Sequence, residues 1–476
     1  MRTLEAVLRD HGLPFPDVGG VPAKLEDLQI EDINRLATMG RALADLPIGY
    51  GKTVISTYSA LMLEPDVTLI LMPPILKAQW QKWINSIPGA GQVVVYDGTP
   101  SERRKLNLRG AKWIITSYGL MRNDFDYLLA QLGPRNLLTI VDEAQCCKNY
   151  KSSLFDCVKQ ISEGKPLFLL SGTPVSWPGD TYAYIKLNNP GAYARYRQFE
   201  NIHVAERDFF EKPTAWREWE LMQSNFNANR IYRSKEEVHA ALPKANFIPV
   251  YYELDKEHMA LYTKLMQEQL LELDDGTKID ATTAQTLYHQ SQQIISNWGY
   301  FSGNPKNVGK VYELIDEICD QINLGQPDAS KVIAWSQYKR TSAALQDHMD
   351  ARLKKIGCRS MAAYSGADSV KSVAAFMDDP RTVSLVAQPG SAGAGLNPQA
   401  LCWNTIFVEL PTRTIAFLQA AGRIDRKGQR FNPNIYLFIA RGTIQEALLA
   451  NLMSNDDEVI RATGTKNSIR NLIFPK

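Results

Sequence analysis

The chain has 476 residues, 45% hydrophobic and 22% charged, a length suited to two or three packed domains and a composition that excludes large-scale disorder. Lys+Arg 53 against Asp+Glu 51 leaves a net charge of only +2, which excludes a basic coat, so any polyanion site must be a local groove. The six cysteines (146, 147, 157, 319, 358, 402) form no CxxC pair, and no apolar run approaches the roughly 18 residues of a membrane span, so the chain reads as soluble, cytoplasmic and free of zinc knuckles.

Residues 1–24 read as an N-terminal extension without the apolar core of a signal peptide. "LPIGYGKTVIS" (46–56) then places Gly-x-Gly-Lys-Thr at the head of a helical stretch. Triphosphate binding needs these residue types. Gly49 and Gly51 let the backbone curl until its amides converge on phosphate oxygens, Lys52 brings charge to the β- and γ-phosphates, and Thr53 offers Mg²⁺ a hydroxyl. The strict phosphate-loop pattern has a glycine where Leu46 stands, so taken alone the segment also reads as a Gly-Lys turn before a helix.

Apolar strands follow at 67–72, 92–96, 112–118, 137–144 and 167–172. Most are nearly continuous in apolar residues, as strands covered on both faces of a parallel sheet should be. Helical spacing between them, as in "PILKAQWQKWINSI" (74–87), completes a β-α alternation and predicts a doubly wound α/β domain over 25–225. Trp80 and Trp83 share one helix face and are read as core packing, not base stacking. The basic cluster "ERRKLNLR" (102–109) is read as a solvated face, and Cys146-Cys147 as buried packing. Strand 137–144 ends in Asp142-Glu143, at the strand end where parallel sheets bind ligands. There Asp142 suits Mg²⁺ and Glu143 suits activation of water, although an isolated Asp-Glu is more often a solubilising turn.

Residues 175–320 are richer in Tyr, Asn and charge. A helix over 256–273 and a turn at 274–277 predict a helical insertion, about 245–305, inside a second domain spanning 226–476. Strands at 331–338, 359–366, 382–388, 404–410 and 434–440 repeat the first rhythm, and a helix over 341–355 aligns Leu345, Met349 and Leu353. "QAAGRIDRKGQ" (419–429) puts Arg423 and Arg426 on one helix face, with Gln419 a turn earlier.

In this order the blocks resemble the superfamily two helicase-like motors, and more closely the Swi/Snf-type DNA-dependent ATPases. The resemblance is carried by "LQIEDI" (28–33), the Gly-Lys-Thr loop, "LMPPILKAQWQKWI" (71–84), "YDG" (96–98), "ITSYGLMR" (115–122), "DEAQCCKN" (142–149) and "SGTP" (171–174). It continues through "RSKEEVHAALP" (233–243), "GSAGAGLN" (390–397), "QAAGRIDRKGQ" (419–429) and "GTIQE" (442–446). The resemblance implies two RecA-like lobes, with ATP and Mg²⁺ between them. It makes Gln29 the adenine reader, adds Ile48, Tyr50 and Gly395 to Gly49, Gly51, Lys52 and Thr53 as nucleotide cradle, and gives the metal to Thr53 and Asp142. Catalysis falls to Lys52, Asp142, Glu143 and Gln419, with Arg423 and Arg426 as arginine fingers. Nucleic-acid contacts fall to Pro74, Lys77, Ser117, Tyr118, Ser336, Gln337, Gly366 and Gly393.

The chain departs from the family at Leu46-Pro47 and Ile48, at Gln145 where His is usual, and at "ELPTRT" in place of Trp-Asn-Pro. No chromatin-reading or zinc module accompanies the motifs, so nucleosome remodelling is not expected. The reading is a compact bacterial or viral member, a monomer in a bacterial or virus-infected bacterial cell, that translocates on double-stranded or branched DNA. A strand-separating DNA or RNA helicase is the alternative. A nucleotide-gated scaffold is a third, disfavoured because Lys52, Glu143, Arg423 and Arg426 are all retained.

Overall fold

The computed structural model describes residues 1–14, 24–238, 242–272, 278–304, 309–364, 367–389, 396–465 and 473. The chain divides into two compact units, Met1–Ala240 with Asp457–Asn467, and Ala241–Asp456 with Ser468–Lys476.

The first unit contains β1 (Arg41–Asp45), β2 (Val67–Met72), β3 (Val93–Tyr96), β4 (Trp113–Ser117), β5 (Leu137–Asp142), β6 (Leu167–Ser171), β7 (Val204–Arg207), β8 (Pro213–Trp216) and β9 (Arg230–Tyr232). Seven of these form one parallel sheet in the order β3-β4-β2-β5-β6-β1-β9, and β7 with β8 forms a separate antiparallel hairpin. Every residue of β2, β4, β5 and β6 is buried, which explains their unbroken apolar runs. Alternate side chains feed two cores: Leu69, Leu71, Ile114 and Val141 enter one, Ile70, Met72, Ile115 and Ile140 the other. The five expected strands are present, β2 with the expected bounds and the other four shortened by a residue or two. Strands β1 and β9 were not expected. β1 reads Arg-Ala-Leu-Ala-Asp, poor in the β-branched and aromatic residues that mark a strand, and β9 has three residues.

The second unit contains β10 (Asn246–Tyr252), β11 (Leu270–Glu272), β12 (Lys278–Asp280), β13 (Lys331–Trp335), β14 (Arg359–Ala363), β15 (Thr382–Ala387), β16 (Cys402–Phe407) and β17 (Asn434–Ala440). Its sheet is again parallel, in the order β10-β17-β16-β13-β15-β14. The α/β class with two doubly wound, RecA-like sheets is therefore the fold. Two details are corrected. Residues 246–252, expected inside the insertion, pair with β17 as an edge strand of the main sheet. The helix expected over 256–273 stops at Glu268, because Gln269 turns left-handed (φ 58°) and its amide caps on Leu265 O, after which β11 pairs with β12. The inserted helices are Lys256–Glu268, Ala284–Ser296, Trp298–Phe301 and Gly309–Gln321. Along Lys339–Lys354, Leu345, Met349 and Leu353 are buried as the spacing requires.

Candidate nucleotide and nucleic-acid sites

The first unit gathers its chemistry at the carboxyl ends of three neighbouring strands, β5, β6 and β1. After β1 the chain turns through Gly49 (φ 83°) and Gly51 (φ 100°) into the helix Lys52–Leu63. Both glycines stand in the left-handed region, and a Cβ on Gly51 would lie 2.9 Å from Gln29 Nε2. Gln29 lies against this loop. Its Nε2 donates to Tyr50 O (2.8 Å), while its Oε1 accepts from Glu26 N in a capping box. Tyr50 is buried and donates to Asp32 (3.0 Å), whose carboxylate is held by Arg233. Lys52 Nζ donates to Leu46 O (2.9 Å) and Pro47 O (3.1 Å), two carbonyls of its own loop. Ile48 and Thr53 are half-buried in the same segment.

At the end of β5, Asp142 is buried and accepts from Trp80 Nε1 (2.8 Å) and from Glu143 N (3.0 Å). Burial, with the neighbouring Glu143 charge, pushes its carboxyl up to about 6, opposed by the Trp80 donor and by Lys52. Glu143 follows in the left-handed region (φ 56°), rare for a residue with a side chain and a form of strain that collects at functional sites. Its carboxylate accepts from Gln145 Nε2 (2.6 Å), and Gln145 Oε1 accepts from Ser171 Oγ (2.7 Å) at the end of β6. Gln145, the departure from the family pattern, thus bridges two strand ends. Gly172 packs tightly against the loop: a Cβ there would lie 3.0 Å from Leu46 O.

One buried carboxylate and a threonine at a helix start form the sparse oxygen donor set that Mg²⁺ takes alongside waters and phosphates. Asp142 and Thr53 fit that ion. Among the described residues no group of three or more His, Cys, Asp or Glu gathers for another metal.

Of the residues expected at nucleic acid, Pro74 is exposed at the start of a 3₁₀ turn, and Lys77 is paired with Asp97. Ser117 is buried and caps the helix Tyr118–Asn123. The Tyr118 hydroxyl donates to the carbonyls of Asp142 and Glu143, and burial raises its pKa well above the ordinary range. Trp80 is core, as expected, but its indole N–H on Asp142 gives it a role the spacing did not reveal. Trp83 donates to Thr57 Oγ1 (3.1 Å). The described cysteines are free thiols, with Cys147 buried and Cys146 exposed, against the expectation that both would be packed.

In the second unit, Ser336 and Gln337 follow β13, with Ser336 fully buried. The helix expected to carry Arg423 and Arg426 on one face ends at Ala421. Gly422 N–H caps on Leu418 O, and Arg423 N and Ile424 N bond to carbonyls three residues back, so the two arginines stand on a tight turn beyond the helix. Arg423 is buried, and Arg426 Nη1 donates to Asn397 Oδ1 (2.5 Å). Gln429 braces the turn: its amide donates to Cys402 O and Ile424 O, and its carbonyl accepts from Arg430 N and Phe431 N. Gln419 is half-buried in the last turn of the helix Thr414–Ala421. Gly366, Gly393 and Gly395 lie outside the described residues.

Residues 34–296 match the SNF2-related domain. An uncharacterized ATP-dependent helicase of Mycoplasma pneumoniae is 25% identical over 418 residues, 86% of this chain and 38% of that protein. The TATA-binding protein-associated factor MOT1 of Saccharomyces cerevisiae is 24% identical over 439 residues, 80% of this chain and 23% of that protein. The chain therefore spans well under half the length of these curated relatives. Among solved structures, the Sulfolobus solfataricus SWI2/SNF2 ATPase core in complex with dsDNA is 18% identical, covering 94% of this chain and 98% of that one at a TM-score of 0.42. No helix among the described residues is long and apolar enough to cross a membrane.

Proposed function

The chain belongs to the SNF2-related family, and from that premise we propose that it is a nucleic-acid-dependent ATPase that moves along double-stranded DNA and remodels DNA or protein–DNA complexes. The observation that carries the reading is the bonded series Glu143–Gln145–Ser171 at the ends of β5 and β6, beside the glycine loop that follows β1 and leads into the helix Lys52–Leu63. In this mechanism Lys52 binds the β- and γ-phosphates, and the loop amides cradle them. Thr53 and Asp142 hold Mg²⁺, which when bound neutralises phosphate charge. Glu143 orients water and takes its proton. Gln419, Arg423 and Arg426 meet the charge that develops on the γ-phosphoryl oxygens, where guanidinium forks offer paired donors. The nucleic acid is held by its backbone, since backbone contacts carry no sequence information and permit sliding.

Turnover measured with duplex DNA, single strands and RNA at fixed salt tests this reading. Duplex should stimulate most; stimulation by RNA alone would sink it.

One observation favours strand separation as a second reading. The β7–β8 turn is braced by the Asp208 carboxylate, which accepts from Phe210 N and Lys212 N (both 2.9 Å). This tip presents Phe209 93% and Phe210 75% exposed. Aromatic faces of that kind stack on unpaired bases. Unwinding of a forked duplex that is lost in a Phe209→Ala/Phe210→Ala variant would support this second reading over the first.

A further inference from the structure

Glu409, two residues beyond β16, is a fully buried carboxylate that the ATPase chemistry does not use. Its Oε2 accepts from Gln337 N (3.0 Å), and its Oε1 accepts from Ser336 Oγ (3.4 Å). Two donors from consecutive residues of one turn therefore converge on one side chain, one on each carboxylate oxygen. The Gln337 side chain is tied to Leu410 O (2.8 Å), and its carbonyl accepts from Gln388 (2.8 Å). The turn after β13 is thus clamped from both neighbouring strands, with Glu409 at its amide.

Among the described residues Glu409 makes no ion pair. The titratable groups facing it are tyrosines: Tyr252 on β10, Tyr288 on the helix Ala284–Ser296, Tyr312 on the helix Gly309–Gln321, and Tyr338 at the start of the helix Lys339–Lys354. His289 joins this ring through the Tyr338 hydroxyl (3.1 Å). The hydroxyl of Tyr252 is buried without a hydrogen-bond partner. Burial without a counter-ion drives the Glu409 carboxyl up to about 7. An unpaired buried charge of this kind works against stability, so the fold retains it at a cost.

We propose that Glu409 is a positioning residue for nucleic-acid engagement, its carboxylate fixing the inward-turned Ser336–Gln337 turn at the head of the segment that meets nucleic acid. The inference rests on the reading that this segment meets nucleic acid. Glu409→Gln keeps the shape and removes the charge, while Glu409→Asp keeps the charge on a shorter arm. The measurements are DNA-free turnover, the duplex concentration giving half-maximal stimulation, and Tm, each from pH 6 to 9.

In Glu409→Gln the half-stimulating concentration should rise about tenfold, the scale of one charge-assisted hydrogen bond. DNA-free turnover should stay within about twofold, and Tm at pH 8 should rise, because a buried unpaired charge has gone. In the wild type the half-stimulating concentration should climb as pH falls through about 7; Glu409→Gln should be flat there, and Glu409→Asp should recover part of the response. A Glu409→Gln protein with wild-type half-stimulation and wild-type pH response overturns the proposal. So does a parallel fall in DNA-free turnover and Tm, which is the mark of a merely structural residue. A wild type that no nucleic acid stimulates would overturn the motor reading itself.

Discussion

Asp142 carries a titration that the chemistry must pass through. Its carboxyl is raised to about 6 because it is buried beside Glu143. The free enzyme therefore loses the charged form as pH falls through about 6, and kcat/KM for ATP should drop along the same limb. Trp80 donates to the charged carboxylate, so Trp80→Phe removes a hydrogen bond worth about 1.5–3 kcal/mol and should move that limb to higher pH. A pH–rate profile unchanged by Trp80→Phe would refute the assignment. Gln145 permits a different test. Because it joins Glu143 to Ser171, Gln145→Ala should leave ATP binding intact and uncouple turnover from DNA, lowering stimulation about tenfold. Equal stimulation in both proteins would remove Gln145 from the coupling path.

Among the elements, the glycine loop is the most demanding. Gly51→Ala forces a side chain into φ 100° and towards Gln29 Nε2, a strain on the order of 1–3 kcal/mol that should appear as weaker nucleotide binding. Titration with a fluorescent ATP analogue reads this directly, and wild-type affinity would argue that the loop does not cradle phosphate. The turn through Gly49 and Gly51 into a helix at Lys52 was legible in the sequence because only glycine adopts such positive φ values readily. So were the buried strands, whose apolar runs follow from cover on both faces. Other features left no such mark. β1 is short and alanine-rich, and its place beside β6 is fixed by tertiary packing. The helix thought to carry Arg423 and Arg426 ends at Ala421, and the tight turn that follows matches the i, i+3 spacing equally well. The Trp80 indole shows the same signature whether it only packs or also donates to a carboxylate. Gln269 ends its helix in a left-handed conformation that glutamine rarely announces.

At the scale of the whole molecule, the proposed chemistry gives Arg423 and Arg426 the charge that develops in the transition state. Arg426→Ala should retain ATP binding and lose turnover by on the order of 10³ or more, as loss of an arginine finger does. Undiminished steady-state turnover would contradict the account's division of labour. Glu143→Gln should bind ATP and hold it unhydrolysed through many wild-type cycle times. Motion is the claim beyond chemistry, and one experiment reaches it most directly: ATP-driven displacement of a third strand from a triplex on duplex DNA, run beside displacement of one strand from a fork. The account predicts that the wild type strips the triplex only with hydrolysable ATP, that Glu143→Gln fails to, and that the fork stays paired. Vigorous ATP hydrolysis on duplex with the triplex left intact would contradict it.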